Sequence, residues 1–584
     1  VLEAFRRWDA DVSLSHEACP HRELTKSGCQ GFCQMGPLVT VLPQGIFYTK
    51  VTPADVAEIA ERTLAKGEVV ERLLYLDPVS KKRCRGTAEI PFYQRQTRFV
   101  LKDCGYLDPE NLDEYLAMGG YEAAKLAYTR MTPPAICAEI LKSGLRGRGG
   151  GGFPTGRKWE AARVQNASAK FVICNGDEGD PGAFMDRSVM EGNPHSVIEG
   201  LMIAARAIGA DRGYIYVRAE YPLAVKRMRK AVEDAEARGI LGENVFGSGQ
   251  RIRCEVMEGA GAFVCGEETA MIASIDGRRG MPSPKPPFPA QAGLRGKPTV
   301  INNVETLAQV PRILLEGAEA YRKLGTSSSP GTKTFALTGH VVNTGLIEVP
   351  FGTTLREVVL NIGGGVTDDQ GKISKKGFKA VQIGGPSGGC LTQDHLDLPL
   401  DFDSLKTVGA MVGSGGLVVM NQRTCMVGVA RFFMEFTQRE SCGKCVLCRE
   451  GTMQLLALLD DVMEGRGTAE TLELLEKLGR AVQVGSLCGL GKTAPNPVLS
   501  TLRYFRQEYE DHVFHQRCRT GQCKALLRPE INAQKCKGCG LCIKACAVGA
   551  ITGEKKQVHR IHPDLCIKCA ACVKACNLGA VEGI

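Results

Sequence analysis

Eight cysteines near the C-terminus constrain this chain more than any other feature. Cys536, Cys539, Cys542 and Cys546 recur thirty residues on as Cys566, Cys569, Cys572 and Cys576, and the flanking text repeats with them, CIKACAVGAI against CVKACNLGAV. Three cysteines three residues apart wrap a loop round one cubane, and the fourth of each run closes the other. The spacing predicts two 4Fe–4S clusters with exchanged ligands. One is held by Cys536, Cys539, Cys542 and Cys576, its twin by Cys566, Cys569, Cys572 and Cys546. Tetrathiolate zinc is the alternative, but zinc favours paired C-x2-C knuckles over triplets.

The run is the bacterial ferredoxin pattern, although the proline that usually follows the fourth cysteine is Ala547 in one copy and Asn577 in the other. A third triplet, Cys442, Cys445 and Cys448, has Cys488 forty residues further on. Helical periodicity flanks it, over 437–440 and 450–460, so it sits at a junction inside a helical unit. In all, 25 cysteines in 584 residues are too sparse for a disulfide scaffold, and their clustering reads as metal ligation by reduced thiolates. That chemistry places the chain in the cytoplasm or its equivalent. No run approaches the ~18 apolar residues of a membrane helix, which excludes direct membrane insertion. The net charge of +9 is dispersed, with no basic stretch interleaved with aromatics, so no nucleic acid is expected.

A second constraint is the segment LRGRGGGGFPTGRK, residues 145–158. It contains G-x-G-x-x-G from Gly147 to Gly152, but 134–143 before it has helical periodicity where the dinucleotide fingerprint needs a strand. What remains is a loop of bare backbone, Gly147, Gly149, Gly150, Gly151 and Gly152, whose amides form an anion-binding nest. Arg148 and Lys158 are expected to add charge for a phosphate.

This loop resembles the flavin loop of the NADH-oxidising FMN subunit of respiratory complex I and its soluble relatives. The similarity continues in order through CNGDEGDP from Cys174, GYIYVRAEYP from Gly213, GAGAFVCGEETA from Gly259, KPPFPAQAGLRGKPTVINNVET from Lys285 and ESCGKCVLCREGT from Glu440. The resemblance implies FMN phosphate and ribityl contacts from the glycine backbone and Lys158, with polar contacts from Asn175, Asn302 and Asn303. It places Asp177, Gly266, Glu267 and Glu268 near the flavin and the nicotinamide ribose. Asp180 stands where that family usually has Glu, and Phe263 where it has Tyr. Phe153 and Phe288 resemble the aromatics that stack on the nucleotide, with Lys285 beside them. Asp177, Asp180 and Glu268 are the expected catalytic carboxylates. By the same resemblance the helical-unit cysteines hold the 4Fe–4S cluster that takes electrons singly from the flavin.

Other segments are expected to support this centre. Residues 333–417 alternate short strands with glycine turns and resemble the soluble-ligand-binding β-grasp domain, with a structural role. SGCQGFCQMGP, with Cys29 and Cys33, followed by the strand-like LVTVLP, resembles the second half of a thioredoxin-like 2Fe–2S domain. The C-x4-C loop that completes such a site lies some forty residues upstream, before Val1, and the local Cys19 has the wrong context. Either those residues are absent from this chain, which is favoured, or the cluster is not assembled. His512, Cys518 and Cys523 form an H-x5-C-x4-C run suited to structural zinc. The resemblance to relatives with a ferredoxin tail, which carry the same run, implies His512 rather than His515, and Cys425, where respiratory relatives lack a cysteine, as fourth ligand.

The expected fold is multidomain α/β. It comprises a partial thioredoxin-like domain (1–75), a linker (76–130), a Rossmann-like FMN and NAD(P)H domain (131–330), a β-grasp domain (331–417), a helical 4Fe–4S domain (418–510), a zinc linker (511–530) and a two-cluster ferredoxin domain (531–584). Its thioredoxin-like front and ferredoxin tail are similar to the beta subunit of soluble, electron-bifurcating NAD(P)-linked diiron hydrogenases. The expected partners are a hydrogenase or dehydrogenase catalytic subunit, a small thioredoxin-like 2Fe–2S subunit and soluble ferredoxin. A diaphorase subunit of an NAD-linked formate dehydrogenase, and a non-catalytic wiring scaffold, are the alternatives.

Overall fold

The computed structural model describes residues 1–13, 23–374 and 377–583, so Cys19 lies outside the described residues. The chain forms two compact units. One is Val1–Asn421 with Glu440–Lys444 and Leu487–Leu490, and the other is Gln422–Arg439, Cys445–Ser486 and the remainder from Gly491. Among the described residues no helix is long and apolar enough to cross a membrane.

The first unit is centred on a four-stranded parallel sheet, ordered Arg253–Gly259, Arg212–Arg218, Phe171–Gly176, Thr299–Asn303. Phe171–Gly176 is buried almost throughout, as a parallel strand covered on both faces must be. Val172 and Cys174 face a core with the helices Pro194–Ile208 and Val304–Glu316, while Phe171 and Ile173 pack with Met271 and Ile272 of Glu268–Ile275. Strand order reverses between Phe171–Gly176 and Thr299–Asn303, the switch point where open α/β sheets hold ligands at their carboxyl ends. The paired residues there are Asn175 and Asn303.

The glycine-rich loop follows a helix, Pro133–Ser143, as its periodicity indicates. Thr132 caps the start of this helix and Gly144, at φ +70°, ends it. The loop closes on itself, with Gly147 N donating to Phe153 O at 2.9 Å and Thr155 N to Leu145 O at 2.9 Å.

A second sheet in the same unit has the order Gly345–Pro350, Thr332–Gly339, Gly416–Asn421, Phe378–Ile383, Gly389–Thr392. Its first and last strands in sequence, Thr332–Gly339 and Gly416–Asn421, are parallel neighbours. Near the N-terminus, LVTVLP supplies the strand Val39–Val41, antiparallel to Ile46–Tyr48.

The second unit holds the helices Met426–Arg439, Val446–Glu464, Ala469–Gly485, Asn496–Tyr504 and Arg506–Phe514 around Leu455, Leu459, Leu475, Val498 and Tyr509. Beyond them the cysteine repeat becomes a structural repeat. Each copy has a two-residue strand, a short helix (Leu541–Ala545 or Ala571–Ala575) and a second two-residue strand. The strands pair across the copies, Glu530–Ile531 with Val581–Glu582 and Ile551–Thr552 with Arg560–Ile561.

Candidate active site and metal centres

At the carboxyl end of the parallel sheet, Asn175 Nδ2 donates to Gly266 O at 2.9 Å, and Asp177 N donates back to Asn175 Oδ1 at 3.0 Å. This brings the GDEGD segment against the GEE segment. Asp177 then presents a carboxylate with both oxygens buried and unpaired. Burial, only partly offset by Arg218, pushes it up to about 7. Asp180, also lifted by burial, to about 6, accepts from Ser414 on one oxygen and leaves the other unpaired. A buried carboxylate without donors is costly unless a ligand supplies them. Three unpaired oxygens here fit the hydroxyls of a ribityl or ribose chain.

The glycine loop faces the same region. A side chain at Gly149 would come within 3.1 Å of Asn303, one at Gly150 (φ +112°) within 3.1 Å of Gly413, while Gly151 opens onto free space. Lys158 Nζ donates to Glu268 Oε1 at 2.6 Å and to Ile301 O at 3.0 Å. Lys285 Nζ lies 3.0 Å from Glu267 and 3.2 Å from Glu268. Burial alone would raise Glu268, but Lys158 and Lys285 overcome it and hold the carboxyl below its ordinary range. Glu267 caps the helix that Glu268 begins, accepting from Thr269 N and Ala270 N. Phe153 and Phe288 are 55% and 54% exposed, flat faces free to stack on a base. Asn302 Oδ1 accepts from the Trp159 indole at 2.8 Å, and Asn303 caps Val304–Glu316 while donating to Asp186.

One expectation is corrected. Arg148 does not add charge at the loop. Its guanidinium is buried and donates to the carbonyls of Thr332, Arg146 and Pro330, to Tyr321 and to Gln309, over the face of Phe351. Those acceptors engage Nε, both N–H groups of Nη2 and one of Nη1, so the side chain is committed chiefly to the fold. Its main chain still serves the loop, with Arg148 N held by Thr306 Oγ1 at 2.8 Å.

Several residues that sequence reasoning passes over complete the site. Glu178, buried, accepts from Asp186 N and Arg187 N and so fixes the start of Met185–Gly192. Ser414 and the turn glycines Gly385 and Gly413 bring the second sheet's loops against Asp180 and Gly150. Lys333 and Glu305 form a buried ion pair at 2.5 Å. Glu440, two residues before Cys442, accepts from Phe263 N at 2.9 Å.

The metal-ligating candidates fall in four places. Cys442 and Leu490 pack against a first-unit core that includes Val264 and Met271. In the second unit Cys445 precedes the helix Val446–Glu464, and Cys448 is buried in its first turn. Cys488 is half-buried. Cys536, Cys539, Cys542 and Cys576 line one cavity in the ferredoxin-like repeat, a donor set that fits a cubane. In the other set, the neighbouring Cys566 and Cys569 add to burial in raising Cys572. Cys546 Sγ accepts from Ala550 N at 3.2 Å, as Cys576 does from Ala580 N at 3.3 Å. Cys29, hydrogen-bonded by Cys33, is lowered to about 6.

The ligand atoms of Cys425, His512, Cys518 and Cys523 all lie within 4.8 Å of one another, and all four residues are buried. Cys425 Sγ is 3.7 Å from Cys523 Sγ and 3.5 Å from His512 Nε2. A tetrahedron with Zn–S bonds of about 2.3 Å has edges of roughly 3.8 Å, so the spacing fits zinc. His512 Nδ1 faces Glu508 O at 2.6 Å, which leaves Nε2 for a metal. His515 is exposed.

A parallel sheet with a phosphate-type glycine loop and orphaned carboxylates at its switch point, joined to cysteine triplets, defines a flavin- and iron–sulfur-dependent oxidoreductase subunit. Three family models match: Nuo51 FMN-binding domain over residues 140–312, NADH-ubiquinone oxidoreductase-F iron-sulfur binding region over 428–512, and 4Fe-4S dicluster domain over 535–580. NADP-reducing hydrogenase subunit HndC of Solidesulfovibrio fructosivorans is 52% identical over 466 residues, 80% of this chain and 94% of the relative. An NADH-quinone oxidoreductase subunit of Escherichia coli is 42% identical, covering 69% of this chain and 89% of the relative. Among solved structures, an NAD+-reducing [NiFe]-hydrogenase in the H2-reduced state matches with TM-score 0.62 and 32% identity, over 83% of this chain and 76% of that one.

The chain belongs to the family of NADH-oxidising FMN subunits of complex I type. It is an NAD(P)H-oxidising FMN oxidoreductase subunit, with one 4Fe–4S cluster in the helical region and two in the dicluster domain.

Proposed function

We propose that this chain exchanges hydride with NAD(H) or NADP(H) and relays single electrons within a cytoplasmic electron-bifurcating hydrogenase complex. The observation that carries the reading is the second electron exit. A plain diaphorase needs a flavin and one relay cluster, whereas this chain adds a two-cluster ferredoxin domain. The 52% identity to a relative named as part of an NADP-reducing hydrogenase supports a hydrogenase partner.

When bound, FMN accepts two electrons as a hydride and releases them one at a time. The chain's residues prepare the place. The glycine loop and Lys158 hold the phosphate, and Asp177, Asp180 and the three asparagines orient the ribityl and ribose hydroxyls. Phe153 and Phe288 sandwich the nucleotide, and Glu268, poised as a carboxylate by Lys158 and Lys285, faces the nicotinamide ribose. Cys442, Cys445, Cys448 and Cys488 hold the first cluster, and the eight repeat cysteines hold the last two in the exchanged sets. Zinc at Cys425, His512, Cys518 and Cys523 ties the approach to the ferredoxin domain into the helical core. The second sheet, with parallel terminal strands at its centre, is read as a β-grasp fold. Cys29 and Cys33 are read as half of a 2Fe–2S site on a thioredoxin-like remnant.

The test is turnover of the purified complex with NAD(P)+ and ferredoxin offered singly and together. Strict dependence on both supports bifurcation. Full activity with either alone returns the chain to the diaphorase reading.

A further inference from the structure

The two ferredoxin-type sites come from one repeat, and their differences stand out position by position. Each fourth cysteine takes an equivalent main-chain bond, from Ala550 N at 3.2 Å or Ala580 N at 3.3 Å. Charge differs at several matched positions, Lys535 against Leu565 and Gln534 against Asp564 among them. Lys537 lines the first cavity where the twin has Ile567, but the twin has Lys568 where the first copy has Gly538. One difference is a buried side chain in contact with a ligand sulfur. His559, 3% exposed, lines the first cavity and places Nδ1 3.2 Å from Cys542 Sγ. Thirty residues earlier the same register holds Pro529.

The backbone is shaped for this imidazole. Gly553, at φ +153°, has its missing Cβ position 2.2 Å from His559 Cδ2, so any side chain there would displace the ring. At the matching Gly583 the three nearest atoms are main-chain atoms of Arg528 and Pro529. Among the described residues, Cys546 and Cys566 of the twin accept only from backbone amides, Ala550 N and Lys568 N.

A cluster-bound thiolate carries no proton and can only accept, so the ring nitrogen facing it carries the hydrogen. An N–H aimed at a cluster sulfur favours the reduced state, whose extra negative charge rests on the sulfurs, and raises the potential. We infer that His559 Nδ1–H bonds Cys542 Sγ and makes the cluster of Cys536, Cys539, Cys542 and Cys576 the first of the ferredoxin pair to be reduced. The step is a transfer of one electron to that cluster, and the proton stays on Nδ1. His559 is thus a positioning residue that sets the order in which the two clusters fill. The inference rests on the exchanged-ligand assignment, and iron and sulfide content reports separately whether both clusters are assembled.

The experiment uses the full chain with its clusters assembled, titrated with a reductant and followed by electron paramagnetic resonance, with 15N-histidine label in the parent protein. The first ferredoxin-type signal to appear is expected to carry a 15N coupling. In His559→Leu that coupling disappears, and the first cluster's reduced-to-oxidised ratio at a fixed poise falls about tenfold, ~59 mV for a one-electron couple. His559→Asn, which returns an N–H near the same place, restores most of the difference. An unchanged titration in His559→Leu at full iron content overturns the proposal. So does an equal shift in the Leu and Asn variants. If His559→Leu fails to hold the cluster, the labelled parent decides alone: a coupling on the later signal, or none, overturns it.

Discussion

The Phe263 amide donates to Glu440 Oε2 at 2.9 Å, and Lys444 Nζ donates to Pro282 O at 2.6 Å. The segment carrying Cys442 is therefore fastened to two loops that border the proposed nucleotide site. Electron transfer to a relay needs that proximity, while flavin binding draws on other residues. Cys442→Ser is expected to keep FMN and NADH–dye activity but to stop NADH from reducing the ferredoxin-type clusters. Loss of FMN with unchanged cluster reduction in the surviving protein would refute this relay order.

Lys158 is held between Glu268 and the Ile301 carbonyl, a half-buried ammonium with two acceptors already fixed. Lys158→Met leaves Glu268 with Lys285 alone and removes the proposed phosphate donor. A charged hydrogen bond contributes about 1.5–3 kcal/mol, so FMN affinity should fall roughly 10- to 100-fold. Flavin-to-protein ratio after gel filtration reads the effect, and a ratio equal to the parent's would remove Lys158 from the phosphate site.

Asp177 imposes a pH dependence on the flavin-free chain. Burial lifts it from 3.8 to about 7. Between those values the folded chain retains a proton that the unfolded chain has released, so its contribution to stability declines as pH rises. Asp177→Asn cannot titrate. The melting temperature of the flavin-free parent should therefore drop relative to the Asn variant from about pH 5 to about pH 7. Parallel curves would show that the carboxylate is not desolvated.

About one equivalent of zinc is expected per chain, lost in Cys425→Ser. Structural zinc couples its binding free energy to local order. The variant should gain protease sensitivity around residues 515–530 while keeping FMN. Metal analysis showing iron but no zinc in the parent would remove the site.

What is legible in the sequence is chemistry that demands fixed spacing: the cysteine runs, the glycine loop, and His512 with Cys518 and Cys523. The helix before the glycine loop is legible from periodicity. Arg148 is not, because a guanidinium beside a phosphate loop can turn either way, and the deciding acceptors come from Thr332, Pro330 and Tyr321 far along the chain. Ser414 and Asp180 are 234 residues apart, and Glu440 and Phe263 are 177 apart. No local pattern announces such pairs. The second sheet's loops read as structural because they lack titratable clusters, yet it is their small residues that reach the site.

The pairing of Glu530–Ile531 with Val581–Glu582 bears on how the protein is made. The opening strand of the repeat has no partner until Val581–Glu582 has left the ribosome, since chains emerge from the N-terminus onward. In the exchanged assignment, Cys536, Cys539 and Cys542 also wait for Cys576. Assembly of the first cluster is thus postponed until Cys576 has been made, and a chain halted just before it would leave Cys536, Cys539 and Cys542 without their fourth ligand while the twin set is complete. Loading of that cluster becomes a readout of synthesis past Cys576.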